Sequence, residues 1–212
     1  MGLKQFLKKV FLLNLFWRKK HFKLGIYGPP NVGKTSLANY ISKEWTGEEM
    51  GTVSKVPHET REVTLKEKVV IEKKGKKLEI NLVDTPGIST KVDFEEFTKY
   101  GVKKKDAKKR AREATKGIIE AIKWLDDMDV VLAVMDSTKD PYNQVNITIL
   151  GNLEARNIPV IVVANKTDLK SSKIKRVRSA FPQYKVVGLS AKKGDGFNKL
   201  YDALFDASRE VK

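Results

Sequence analysis

From Lys23 to the C-terminus, short apolar runs alternate with longer stretches in which apolar residues recur at helical spacing. This is the pattern of a sheet buried on both faces, its strands joined by helices. The runs place strands at Lys23 to Tyr27, Glu62 to Glu72, Leu78 to Asp84, Val130 to Asp136, Pro159 to Asn165 and Lys185 to Leu189. Helices are expected at Gly33 to Glu44, Phe94 to Asp126, Tyr142 to Arg156, Ser172 to Ala180 and Phe197 to Ser208. Between the second and third strands, Glu72-Lys-Lys-Gly-Lys-Lys77 is the composition of a hairpin turn, so the second strand should run antiparallel at the sheet edge. The remaining strands should be parallel, which makes an α/β fold: a six-stranded, mostly parallel sheet with helices on both faces.

The first residues follow a different pattern. Met1 to Lys23 carries seven basic residues and no acid, around an apolar run from Val10 to Trp17 interrupted only by Asn14. A bilayer span needs about 20 apolar residues, so this run is too short to cross a membrane. No small-residue cleavage site follows it either, and Arg18-Lys-Lys leads almost directly into the first strand, which argues against a removed signal. Read as a helix, Leu3, Phe6, Leu7, Val10, Leu13 and Trp17 share one face while Lys4, Lys8 and Lys9 lie elsewhere. Such a helix either docks on its own domain or lies, over residues 3–17, on a partner or an anionic membrane surface. The expected organisation is therefore a basic amphipathic helix over residues 1–22 and one α/β domain over residues 23–212.

Charge sharpens the question of partners. Forty-two basic residues against 26 acidic ones leave a formal charge of +16, a field that favours polyanions such as RNA or an anionic membrane. The chain has no cysteine, which excludes disulfide and thiolate-metal frameworks and fits a cytoplasmic location, peripheral on the membrane if the N-terminal helix lies there. The stretch between Gly87 and Met128 is longer than a minimal nucleotide switch needs, and it contains Lys103-Lys-Lys-Asp-Ala-Lys-Lys-Arg110. Ala107, Ala111, Ala114, Ile118, Ile122 and Leu125 should line its inner face. The charged side is either a solvated surface, a dimer face or a footprint for a polyanion.

Five short segments then carry chemistry, in one order. Gly28-Pro-Pro-Asn-Val-Gly-Lys-Thr-Ser36 follows a strand and opens a helix, the context of a phosphate loop. Backbone amides from about Asn31 through Val32 and Gly33 to Thr35 and Ser36 should wrap phosphates at the positive end of that helix. Lys34 should reach the β- and γ-phosphates and Thr35 should ligate Mg²⁺. Asp84-Thr-Pro-Gly87 ends a strand: Asp84 is placed for the Mg²⁺ shell, and Gly87 for a close approach to the γ-phosphate. Thr60 is the candidate for the remaining Mg²⁺ contact, with Thr52, Ser54 and Thr64 as neighbours that could compete. Lys34, Thr60 and Gly87 together are the residues expected to act on the γ-phosphate. Asn165-Lys166-Thr-Asp168 lies at the carboxyl end of a strand, where ligands bind. There Asp168 can accept from N1 and the exocyclic amine of guanine, a pair that adenine lacks. In Ser190-Ala191-Lys192 an amide near Ala191 could donate to guanine O6. The expected ligands are GTP and GDP with Mg²⁺.

Together these residues resemble the translation-factor-related P-loop GTPases, and within them the Era-like group of ribosome- and RNA-associated GTPases. Asn31-Val-Gly-Lys34 and Glu59-Thr-Arg61 carry that resemblance over about residues 23–212. It implies a GTP-hydrolysing switch, with rRNA or a ribosomal particle meeting the Lys-rich segments and an activating protein of unknown identity; a membrane-surface switch or a GTP-binding scaffold with negligible turnover are the alternatives. It also implies that Asn31 ligates a K⁺ ion that stimulates hydrolysis. Two departures stand out. Ile88 occupies the place where Ras-type switches carry a water-positioning Gln, so intrinsic turnover should be slow. The sequence also ends at Lys212, without the KH domain of the bacterial Era pattern.

Overall fold

The computed structural model describes residues 22–53, 58–89 and 91–211. The helix expected over residues 1–22 lies outside these, except that Phe22 is the first residue of a strand.

Six strands form one sheet: β1 (Phe22–Tyr27), β2 (Thr64–Lys73), β3 (Lys76–Asp84), β4 (Val130–Asp136), β5 (Val160–Asn165) and β6 (Lys185–Gly188). Their order is β2-β3-β1-β4-β5-β6. Only β2 pairs antiparallel, with β3; the other pairings are parallel. Lys73 faces Lys76 across a two-residue turn in which Lys74 and Gly75 both have positive φ (49° and 72°). That twist matches the twist of the strands it joins, so the basic run closes the expected hairpin.

Within the buried strands, alternate residues face opposite layers. Leu24, Ile26, Leu132, Val134 and Val163 pack on one side against Leu37 and Ile41 of α1 (Lys34–Thr46) and Leu200 and Leu204 of α6 (Phe197–Glu210). On the other side, Tyr27, Val83 and Val131 meet Ala121 of α3 (Lys104–Lys123) and Ile149 and Leu153 of α4 (Gln144–Ala155). Ala133, Val162 and Ala164 meet Val177 and Ala180 of α5 (Ile174–Ala180). Each fully buried Leu, Ile or Val contributes about 1.5–3 kcal/mol, so the two layers hold the strands' carboxyl ends in fixed register.

The long helix expected from Phe94 to Asp126 is three pieces: α2 (Phe94–Thr98), α3, and a 3-10 turn at Trp124–Asp127. The break is a Schellman motif. Gly101 takes φ 81°, its N–H donates to the Thr98 carbonyl, and the Val102 N–H donates back to the Phe97 carbonyl. Phe97 and Val102 then pack together with Ala107 and Ala114, folding α2 onto α3. On α3, Ala107, Ala114, Ile118 and the following Leu125 are buried as expected, but Ile122 is 36% exposed and Ala121 is buried in its stead. Ala121 lies in the same core layer as Tyr27, whose hydroxyl donates to the Ala121 carbonyl at 2.9 Å.

Candidate nucleotide-binding site

The loop between β1 and α1 begins where β1 leaves the sheet centre. Gly28 cannot carry a Cβ, because it would overlap the Val134 carbonyl. Gly33 caps α1 at φ 94°, and a Cβ there would meet the Asn165 amide. The loop is thus pressed against two strand ends, and its amides gather at the N-terminus of α1. Lys34 is 6% exposed and its ammonium donates to the Pro29 carbonyl at 2.9 Å. Burial pushes its pKa down to about 8, with the nearby Asp84 carboxylate opposing the shift.

Beside Lys34, three oxygens from three separate segments meet. Thr35 Oγ1 donates to Asp84 Oδ2 at 2.7 Å and lies 2.9 Å from Thr60 Oγ1. A hydroxyl has one proton, so Thr60 is the donor to Thr35. Asp84 Oδ1 is buried without a hydrogen-bond partner, and burial raises the carboxyl's pKa against the pull of Thr35 and Lys34. Adjacent oxygens in an octahedral Mg²⁺ shell, with bonds of 2.0–2.1 Å, lie about 2.9 Å apart. The spacing and the orphaned oxygen therefore fit Mg²⁺. Among the described residues no group of three or more His, Cys, Asp or Glu could hold a metal, so the rest of its shell would come from phosphate and water.

The base end is assembled by hydrogen bonds. Asn165 Nδ2 donates to the Val32 carbonyl at 2.8 Å, while its Oδ1 accepts the Ala191 N–H at 2.9 Å. One side chain therefore ties the phosphate loop to the loop after β6. Ser190 Oγ donates to Asp168 Oδ1 at 2.7 Å and leads the interactions that lower the Asp168 pKa, so the carboxylate is fixed and ionised. Lys166, at φ 66°, pairs its ammonium with Asp136 Oδ2 at 2.7 Å, which leaves its stem along the cavity.

At the far end, Gly87 packs on the phosphate loop so closely that a Cβ would lie 2.8 Å from Pro30 Cα. Ile88 turns away: it is 8% exposed, packs with Tyr27 and Val83, and its N–H donates to the Gly28 carbonyl at 3.1 Å. His58 sits opposite, 5% exposed. Burial, and then the Lys34 charge, push its pKa down to about 4 although the Gly87 carbonyl nearby favours the proton, so the ring is neutral at physiological pH. The residues flanking Thr60 are clamped to α3. Arg61 pairs with Glu113 at 2.9 Å, Arg110 with Glu59 at 3.4 Å, and Gly117 lets the helix close onto the Arg61 carbonyl, where a Cβ would overlap it. Beyond this seam α3 shows solvent Lys104, Lys105, Lys108, Lys109, Arg112 and Lys116.

One cavity of 780 Å³ is lined by Asn31, Gly33, Lys34, Thr35, Ser36, Thr60 and Gly87 at one end, and by Asn165, Lys166, Asp168, Ala191 and Lys192 at the other. Val32 and Ser190 stand behind its wall, joined to it through Asn165 and Asp168. Asp84 faces an adjoining cavity shared with Thr35 and Thr60. Sequence reasoning missed Asp136, His58, Tyr100 and Glu113. Asp136 could have been found, since it ends β4 in register with Asn165. Tyr100 and Glu113 come from the segment after Gly87, and only folding brings them here.

The family model described as 50S ribosome-binding GTPase matches residues 23–166. GTPase Der of Mycoplasmopsis agalactiae is 30% identical over 206 residues, covering 91% of this chain and 42% of Der. The tRNA modification GTPase MnmE of Helicobacter pylori is 34% identical over 152 residues, 72% of this chain and 27% of MnmE. The chain thus spans less than half the length of these relatives. Among solved structures, an Aquifex aeolicus Era variant bound to GDP and AlF4⁻ matches with a TM-score of 0.66 at 26% identity, covering 87% of this chain and 56% of that one. Era in complex with MgGDPNP and a piece of 16S ribosomal RNA matches at 0.65 and 25%, over 89% and 57%.

Proposed function

The chain belongs to the family of 50S ribosome-binding GTPases, P-loop proteins that bind and hydrolyse GTP, and from that premise we propose that it is an Era-like switch of ribosome or RNA assembly. The observation that carries this reading is the meeting of Thr35, Thr60 and Asp84 beside Lys34, with Asp84 Oδ1 unpartnered. Thr60 belongs to a segment that touches basic α3 through Arg61–Glu113 and Glu59–Arg110, so a ligand that moves Thr60 changes the surface beside that helix. A γ-phosphate is the group that distinguishes GTP from GDP here, and its contacts order such segments.

In this reading Lys34 binds the β- and γ-phosphates, the loop amides hold them in line, and Asp168 selects guanine. Bound at Thr35 and Thr60, Mg²⁺ would neutralise charge on the phosphate oxygens. Ile88 offers no hydrogen bond to water, so positioning and electrostatics carry the rate. Asn31, which lines the cavity at φ 60°, is proposed to hold K⁺. The solvent-facing Lys and Arg of α3 are proposed to meet rRNA, in keeping with the RNA-bound Era to which the chain is similar and with its charge of +16. A cytoplasmic location follows from that partner. A membrane-surface role would rest on residues 3–17, which lie outside the described residues.

The test is hydrolysis of GTP with K⁺ or Na⁺ as the only monovalent cation, alongside binding of a 16S rRNA fragment in the GTP-analogue and GDP states. K⁺ stimulation that is lost in Asn31→Ala, with RNA affinity that differs between the two states, is expected. RNA binding that ignores the nucleotide would sink the switch reading, and equal rates in both salts would remove the cation.

A further inference from the structure

Lys166 brings a cation into the part of the cavity where guanine needs an anion. Lys166 and Asp168 both line that cavity, in one turn closed by the Leu169 N–H to the Lys166 carbonyl at 3.1 Å. Guanine offers its N1–H and exocyclic amine as donors, so Asp168 must keep lone pairs open toward the base. An ammonium carries three donors and no acceptor, and an unrestrained Lys166 two residues away would compete for the same carboxylate. It does not do so here. The cations that act on Asp168 are Lys192 and Lys193, while the Lys166 ammonium is drawn to Asp136 Oδ2 at 2.7 Å.

Asp136 is built to hold it. It ends β4 in register with Asn165, and its side chain is 5% exposed. Its other oxygen, Oδ1, accepts the Thr138 N–H at 3.0 Å and the Thr138 hydroxyl at 2.6 Å, which fixes the plane of the carboxylate. Burial works against its charge, yet Lys166 and Thr138 keep the carboxyl below the ordinary carboxylate range. The residue that follows is locked in turn: Ser137, fully buried, donates its N–H to the Asn165 carbonyl at 3.0 Å, and its own carbonyl accepts the Lys173 N–H at 2.8 Å. These bonds tie the end of β4 to β5 and to the segment leading into α5.

We propose that Asp136 is a positioning residue for guanine selection: by holding the Lys166 ammonium it keeps Asp168 free to accept from the base. The role rests on the GTPase reading above and deepens it, since it adds a second carboxylate to the specificity of the same site. Asp136 acts through Lys166 alone. Its effect falls on GTP and GDP alike, because both carry the same base, and in this it differs from the contacts around Thr60.

The experiment measures the affinities of GDP and inosine diphosphate for the parent, Asp136→Asn, Asp136→Ser, Lys166→Met and the double variant Asp136→Asn with Lys166→Met. Inosine keeps the N1–H and lacks the exocyclic amine, so the ratio of the two affinities reads how well Asp168 meets the base. The parent should favour GDP about 10-fold or more, the worth of one hydrogen bond to a charged group. Asp136→Asn should shrink that preference by about threefold or more, since a competing ammonium takes up part of the same bonding capacity. In the double variant no cation is released, and the preference should return to that of Lys166→Met. Asp136→Ser, a smaller side chain measured in parallel, answers the same question if the Asn variant does not fold. A purely structural role would lower both affinities together and leave their ratio unchanged, which would overturn the proposal. So would a preference that falls by the same factor with and without Lys166. A parent that binds the two nucleotides equally would instead remove Asp168 from the base and the guanine reading with it, whereas a selective parent with equally selective variants sinks the role of Asp136 alone.

Discussion

The two ends of the nucleotide cavity are built by different physics. At the base end, neutral and charge-assisted hydrogen bonds of 2.7–2.9 Å run between strand ends that the core already fixes: Asn165 to Val32 and Ala191, Ser190 to Asp168, Lys166 to Asp136. At the γ-phosphate end, the segment around Thr60 leans on α3 through ion pairs whose side chains are about a third exposed. Such pairs are worth about 0–1 kcal/mol each, whereas a buried hydrogen bond costs about 1–3 kcal/mol to leave unmade. The base end is therefore preorganised before any ligand arrives, and the γ end is held loosely enough for a ligand to decide its position. A switch needs that asymmetry, since a part equally stable in both states reports nothing.

The largest effect should come from the buried cation at the phosphate end. Lys34→Ala removes a buried ammonium aimed at the phosphates, and charge-assisted hydrogen bonds of about 1.5–3 kcal/mol each imply at least a 100-fold loss of GTP and GDP affinity by calorimetry. Retained tight binding would show that the loop amides alone suffice. Next, Asp168→Asn should weaken GTP by roughly 10- to 100-fold, since a site built to pair with a substrate N–H leaves groups unpaired when the match is lost, and it should improve binding of xanthosine triphosphate. Hydrolysis of nucleotide once bound should hardly change. A fall in both base preference and bound-state turnover would mean that the two ends are not separable.

Smaller effects probe the seam. Gly117→Ala drives a Cβ into the Arg61 carbonyl, a misfit of about 1–3 kcal/mol, so GTP-analogue affinity should drop severalfold while GDP affinity holds. Equal losses for both nucleotides would place Gly117 in general stability. The smallest effect is expected from Arg61→Ala and Glu113→Ala, whose coupling in a double-mutant cycle of thermal stability should stay below about 1 kcal/mol. A much larger coupling would make the seam a rigid joint and erase the contrast with the base end.

The elements of the sheet were legible because short continuous apolar runs and the Lys74-Gly75 turn are local properties. The ligand was legible too, since the order of Gly28 to Ser36, Asp84 to Gly87, Asn165 to Asp168 and Ser190 to Lys192 sets chemistry at strand ends. Periodicity failed at Tyr100-Gly101, where the helical pattern continues in the sequence while a Schellman motif ends the helix. It failed at Ile122, which is 36% exposed, because the face of α3 that meets Tyr27, distant in sequence, runs through Ala121 instead.

By itself, then, the sequence determined the fold class, the phosphate loop and the preference for a guanine base, all of which depend on residue type at short spacing. Only the tertiary structure decided that Asn165 is the tie between loops, that Ile88 points into the core, that His58 is buried beside the cavity, and that Thr60 is bracketed by pairs to α3. These are contacts between segments far apart in the chain, and their geometry is set by how the two helical layers pack on the sheet, which no local pattern encodes.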